Sequence, residues 1–229
     1  MTLSNEFSEE DWQNFLDEVI NSHTGSSKLK QDRSKRREQE LLRAAIRVFA
    51  REGIARARIG DIAAEAGMPV STLYEYYSGK EDIAHAVPQA QMHKFFLEYK
   101  EGIANRVTAY DRLWYYLFLA ADYARRNPEW ARALYLEVWP SVMMFDSPAR
   151  GSMDDYIKIV IYLLKMGEAN GDWPAGPNPY ETAAILVGSI NHIIITWLLY
   201  RQPRNLTTAA AAMADRTMQL LHPMEKVAG

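Results

Sequence analysis

Residues 60–82 read GDIAAEAGMPVSTLYEYYSGKED, and the spacing of small, apolar and turn-forming residues in this stretch leaves few folds open. Ile62, Ala63 and Ala66 make the apolar face of a short helix that ends at Gly67, where a positive φ carries no Cβ penalty. Pro69 has its φ preset for the first turn of a second helix. Val70 and Leu73 are three residues apart and Tyr77 lies four further on, so one side of that second helix docks on its predecessor. Ser71, Thr72, Glu75 and Tyr76 point elsewhere. Two short helices joined by so tight a turn form a helix-turn-helix. A slim second helix carrying hydroxyls and a phenol fits a major groove about 12 Å wide.

From about Glu38 to Ala84 the chain resembles the amino-terminal DNA-binding domain of the TetR (tetracycline repressor-like) family of transcription regulators. The resemblance rests on DIAAEAG, STLYEYY and GKED, at the spacing that family keeps between its second, recognition and fourth helices. Arg58 and Pro69 depart from the pattern, standing where family members usually carry a Ser or Thr cap and often a Ser opening the recognition helix. Gly60 takes a place where some relatives have a side chain that reaches DNA. The resemblance implies that Val70, Ser71 and Tyr74 meet base edges, while Thr72, Tyr76 and Lys80 hold phosphates. Arg58 adds either a phosphate contact or a solvated charge. It further implies a repressor that acts as a homodimer on a roughly palindromic double-stranded DNA operator and is released by a small-molecule effector.

The charge distribution agrees with that reading. Residues 28–80 hold twelve Lys and Arg against seven acids, a net of +5, although the whole chain is at −3. Lys28, Lys30, Arg33, Lys35, Arg36 and Arg37 crowd the approach to the first helix of this domain, where each neutralised phosphate would release counterions. Cys is absent, so disulfides, cysteine-based zinc sites and thiol catalysis are excluded; the five His show no metal-ligand spacing, and no cofactor is expected. No nucleophile elbow or phosphate-cradling glycine loop occurs, which argues against an enzyme. The alternative to a DNA-binding regulator is a helical ligand- or partner-binding module without DNA recognition.

The first 27 residues contain six acids and no Lys or Arg, which does not fit a secretory signal, and a cytoplasmic protein is expected. Ala183 to Tyr200 approaches membrane-spanning length, but Ser189, Asn191 and His192 interrupt it, so it reads as a buried helix rather than a membrane span.

Periodicity predicts helices throughout: near 9–21, 34–52, from Lys80 past Pro88, then 110–126, 128–138, 153–169, 180–201 and 207–221. The fold class is all-α. An amino-terminal three-helix DNA-binding domain with the helix-turn-helix (28–80) follows an acidic extension (1–27) and precedes a helical ligand-binding and dimerisation domain (81–229). In the extension, Ser8 and Asp11 suit a capping box, and Trp12, Phe15, Leu16, Val19 and Ile20 form one stripe that needs a docking surface. Docking on its own or the partner protomer, or competition with DNA for the basic segment, would each satisfy it.

Aromatic residues and Met crowd the middle helices. Most serve a core, but an apolar cavity with a few polar groups suits an apolar or aromatic effector. Trp114, Phe118, Tyr123, Trp139, Met143, Tyr162 and His192 are the candidate effector contacts, with Asp122, Glu137 and Asn191 as further polar anchors. The last two helices, apolar nearly all round, are the expected dimer surface.

Overall fold

A computed structural model describes residues 7–22, 32–140, 149–174 and 178–221. Among these the chain is helical with no strand: α1 (Glu9–Ser22), α2 (Asp32–Glu52), α3 (Ile59–Ala66), α4 (Val70–Tyr74), α5 (Lys80–Gly102), α6 (Ala109–Arg126), α7 (Pro128–Arg132), a π-helical segment (Ala133–Val138), α8 (Ala149–Asn170), α9 (Pro179–Tyr200) and α10 (Leu206–Met218). The last closes in a single 3₁₀ turn, Gln219–Leu221. Each helix expected from periodicity is present. The 128–138 stretch differs in kind, because its second half is wound with i to i+5 bonding and not as continuous α-helix.

Local chemistry explains the boundaries. The Ser8 Oγ accepts the Asp11 amide at 3.1 Å while the Asp11 carboxylate accepts the Ser8 amide at 3.1 Å, which completes the expected capping box of α1. Helix α3 ends on Gly67 at φ +65°, whose amide returns to the carbonyl of Ala64. Asn178 caps α9 by accepting the Tyr180 amide, and Pro179 occupies the first helical position. Helix α5 continues through the buried Pro88 without a break.

The described residues fall into two compact units that do not follow linear order. One unit draws on Met1–Ile20, Phe96–Arg126 and Asp154–Gly229, and the other on Asn21–Phe95 and Asn127–Met153. In the second of these units α7 and the π-helical segment pack on α2.

In the second unit, α2 packs on α3, and Leu41, Ala45, Val48 and Phe49 bury one face of it. Ile62 of α3, Leu73 of α4 and Ile83 and Val87 of α5 are buried in the same unit. In the first unit α10 packs on α6 and α9, and α6 also packs on α9. Tyr99 and Tyr116 are fully buried there, each with its hydroxyl donating to a carbonyl, of Arg112 at 3.2 Å and of Tyr156 at 2.9 Å. Such satisfaction is what makes burying a phenol tolerable. Helix α9 is long and apolar enough to cross a membrane by length and composition alone; Ala183, Leu186, Val187, Ile190 and Ile194 are buried within the unit.

Candidate nucleic-acid interface and effector region

The recognition element α4 is only five residues long, so its position depends on anchors around it. Leu73 is fully buried beneath it. At its carboxyl end, the Tyr76 hydroxyl and Ser34 Oγ of α2 lie 3.1 Å apart, and the Tyr77 hydroxyl donates to Glu38 Oε1, also on α2, at 3.1 Å. Burial, reinforced by the Glu38 charge, pushes the Tyr77 phenol well above its ordinary range, so it stays a donor. With those anchors set, Val70 and Tyr74 stand 39% and 55% exposed, and Ser71 and Glu75 are exposed beside them. The structure thus gathers Val70, Ser71 and Tyr74 on one outward face, with Thr72 half-buried at its edge.

Positive charge lies close by. Ser34, which meets Tyr76, is followed by Lys35, Arg36 and Arg37, all exposed. Lys28 and Lys30 lie outside the described residues. Arg58 precedes α3, is exposed, and has its amide held by Asp61 Oδ2 at 3.0 Å, leaving the guanidinium out in solvent. A Cβ at Gly60 would meet nothing within 4 Å, so the surface at that position is open.

Lys80 and Tyr76 have partners that the sequence reading did not foresee. The Lys80 ammonium donates to the carbonyls of Ile54, Ala55 and Ala57 at 2.9, 3.0 and 3.0 Å. An ammonium has three N–H groups, so in this arrangement none is left for a phosphate, and Lys80 ties the α2–α3 corner to the start of α5. The Tyr76 hydroxyl shares a hydrogen bond with Ser34 Oγ in which either oxygen can donate. Sequence reasoning placed both at phosphates because their partners lie 23 to 42 residues away in the chain, at the α2–α3 corner for Lys80 and near the start of α2 for Tyr76.

The α2–α3 pairing has a charged clamp of its own. Arg47 Nε donates to Glu65 Oε1 at 2.6 Å and Arg51 Nη1 to Glu65 Oε2 at 3.3 Å. Hydrogen bonding from Arg47, then from Arg51, holds the Glu65 carboxyl below its usual range.

The described candidate effector residues have separate surroundings within their own units. Trp114 and Phe118 stack at 5.4 Å on α6, and the Trp114 indole N–H donates to Asp215 of α10 at 2.7 Å. Tyr123 is buried on the same helix with the Arg126 guanidinium 5.3 Å from its ring. Tyr162 of α8 is covered by α1, its ring stacked on Phe15 at 4.4 Å and 5.4 Å from Trp12. His192 is exposed on α9, since it lies off the face that buries Ile190 and Ile194. Trp139 belongs to the other unit, stacked on Tyr135 at 5.5 Å, and Met143 lies outside the described residues. Sequence reasoning missed Arg112, a buried cation on α6, because an arginine on an amphipathic helix ordinarily reads as solvated.

Residues 41–87, which run from within α2 through α3 and α4 into α5, match the family model for bacterial regulatory proteins of the tetR family. The matched segment belongs to the tetR family of bacterial regulatory proteins. The chain is 24% identical over 188 residues to the fatty acid metabolism regulator protein of Bacillus subtilis, covering 80% of the chain and 94% of that relative. It is 30% identical over 115 residues to the HTH-type transcriptional regulator LuxR of Vibrio harveyi, covering 46% of the chain and 55% of LuxR. Among solved structures, FadR from Bacillus subtilis in complex with stearoyl-CoA superposes with a TM-score of 0.74 at 21% identity, over 82% of this chain and 99% of that one. FadR from Bacillus halodurans gives 0.73 at 18% identity, over 85% and 97%. These likenesses establish the TetR fold over most of the chain's length.

Proposed function

We propose that this regulator is a cytoplasmic, homodimeric repressor that binds a roughly palindromic operator and leaves it when an apolar or acyl-bearing effector occupies its helical domain. The observation that carries the DNA reading is the outward face of α4, where Val70, Ser71 and Tyr74 are exposed while Leu73 is fully buried. Val70, Ser71 and Tyr74 read base edges, and Thr72 and Arg58 contact the backbone on either side. A two-fold axis would set two such faces about one DNA turn apart, roughly 34 Å.

The dimer reading rests on apolar residues left in solvent along α9 and just beyond α10: Ile185, Leu199, Tyr200 and Leu220 are 50%, 51%, 71% and 48% exposed. Apolar side chains left exposed on these carboxyl-terminal helices support an association surface there. For the effector, one relative of the same fold was solved with stearoyl-CoA, which makes long-chain acyl thioesters of coenzyme A the first class to try. Such a ligand need only bind the operator-incompetent geometry more tightly to release DNA.

The test is selection of bound sequences from a random DNA pool at about 0.15 M salt, followed by titration of the enriched site with stearoyl-CoA. Enrichment of one inverted repeat, released by the thioester, is the expected outcome. Retention of no sequence would overturn the operator reading and leave a ligand- or partner-binding module. Enrichment without release would reject the acyl effector alone.

A further inference from the structure

The corner that joins α2 to α3 is gripped from two directions. From one side come the three carbonyl contacts of Lys80, the first residue of α5. From the other comes Glu137 of the π-helical segment, whose Oε2 accepts the amide of Ile54 at 3.1 Å. The same carboxylate presses so closely on Gly53 that a Cβ there would lie 2.9 Å from Oε2, and Gly53 takes a φ of +77°. Five residues before Glu137, Arg132 donates from Nε to the carbonyl of Ala50 at 3.2 Å, near the carboxyl end of α2. All of these groups lie within one compact unit.

The winding of the segment that carries Glu137 gives this contact its meaning. The amide of Trp139 donates to the carbonyl of Leu134 at 2.8 Å, five residues back. A π turn holds one residue more than the α-helix allows; it is a rare winding, frequent at functional sites. Shifting that extra residue along the chain turns the side chains beyond it by about 100° around the helix axis. Such a shift ahead of Glu137 withdraws its carboxylate from the Ile54 amide. Trp139, which closes the turn and stacks on Tyr135, is itself one of the candidate effector contacts.

We propose that the π-helical segment Ala133–Val138 sets the position of the recognition helix, with Glu137 as the positioning residue that acts through the 52–57 corner and Lys80. The route runs from Glu137 to Ile54, from the carbonyls of Ile54, Ala55 and Ala57 to Lys80, and from Lys80 to the turn that follows α4. Each link is a hydrogen bond or a chain neighbour. In the α register the corner loses its carboxylate, the Lys80 cradle loosens, and the outward face of α4 is no longer held in one place. This rests on the reading of the chain as an operator-binding regulator and adds to it the element that conveys the effector's presence.

The experiment compares the wild type with Glu137→Ala and Glu137→Gln, by amide hydrogen exchange resolved to peptides and by titration of the operator recovered from the pool. Glu137→Ala is expected to speed exchange at least about fivefold not only at residues 52–57 but also at 70–77, with exchange in α9 unchanged. Glu137→Gln keeps an acceptor oxygen and is expected to restore most of the protection. Operator affinity of Glu137→Ala should fall at least about tenfold. Faster exchange confined to residues 52–57 would overturn the proposal, as would an operator affinity within about twofold of the wild type. The exchange readout needs no DNA, so it decides the coupling even where the wild type selects no sequence, a result that would count against the operator reading alone.

Discussion

The Glu9 carboxylate of α1 accepts from Nη2 of Arg112 on α6 at 2.7 Å, and the two differ sharply in environment: the arginine side chain is 5% exposed and the glutamate 57%. Arg112 also donates from Nε to the Arg106 carbonyl at 2.8 Å and lies over the Trp12 ring, its Cζ 5.7 Å from the centroid. Lys100 pairs with Asp17 further along α1. The acidic extension is thus docked on its own protomer, with Trp12 and Leu16 fully buried and two of its acids engaged by cations of the unit it packs on.

Removing the charge of Glu9 leaves a buried guanidinium with a weaker acceptor, the costly half of breaking an ion pair. Because the glutamate itself is half in water, Glu9→Gln should cost about 1–2 kcal/mol rather than the full penalty of a buried pair. Denaturant unfolding would check this, and Arg112→Met in the Glu9→Gln background should recover most of the loss.

Lys80→Met removes the shared donor of three corner carbonyls while keeping the apolar stem. A loss of about 1.5–3 kcal/mol is expected, typical of hydrogen bonds to a charged group. Operator and unrelated DNA should weaken alike. A variant as stable as the wild type, with its salt dependence of binding reduced by one phosphate, would return Lys80 to the role its place in the sequence suggested.

Acidification should reveal the α2–α3 clamp. Arg47 and Arg51 depress the Glu65 carboxyl in the folded state, so the clamp stabilises the fold above the unfolded carboxyl value of about 4.3 and is lost as pH falls through the lower folded value. The melting temperature of Glu65→Gln should therefore lie slightly below wild type at pH 7 and converge with it by about pH 3. A gap that persists at pH 3 would mean that the substitution acts through packing.

Charge placed on the exposed α9 face should separate protomers. Ile185→Glu is expected to raise the dimer dissociation constant at least about tenfold, the effect of one well-placed interface residue. Light scattering after size exclusion gives the readout, and an unchanged mass would place the dimer contact elsewhere.

Much of this architecture was legible in the sequence. Helix spacing, the Gly67 stop and the Ser8 capping box follow from local chemistry, and local chemistry is what a sequence displays directly. Leu73 inward follows from periodicity, which also turned Val70 inward although it stands 39% exposed; the outward role of Tyr74 came only with the family resemblance. The partners of Lys80, Tyr76 and Glu137 did not follow, because each reaches between 23 and 83 residues along the chain to a backbone or hydroxyl group that no pattern marks. A π-helical segment and a buried Arg112 are likewise choices of tertiary packing, made against what composition suggests.

Helix α4, at five residues, is shorter than the cooperative length below which a helix does not hold together in water. The reading head of this regulator is therefore borrowed rigidity, lent by Ser34, Glu38 and the buried seat of Leu73. Grafting α4 alone onto a relative would transfer letters without the grammar that aligns them. A change of operator specificity should travel only with a cassette that carries residues 34–77 as one inherited piece.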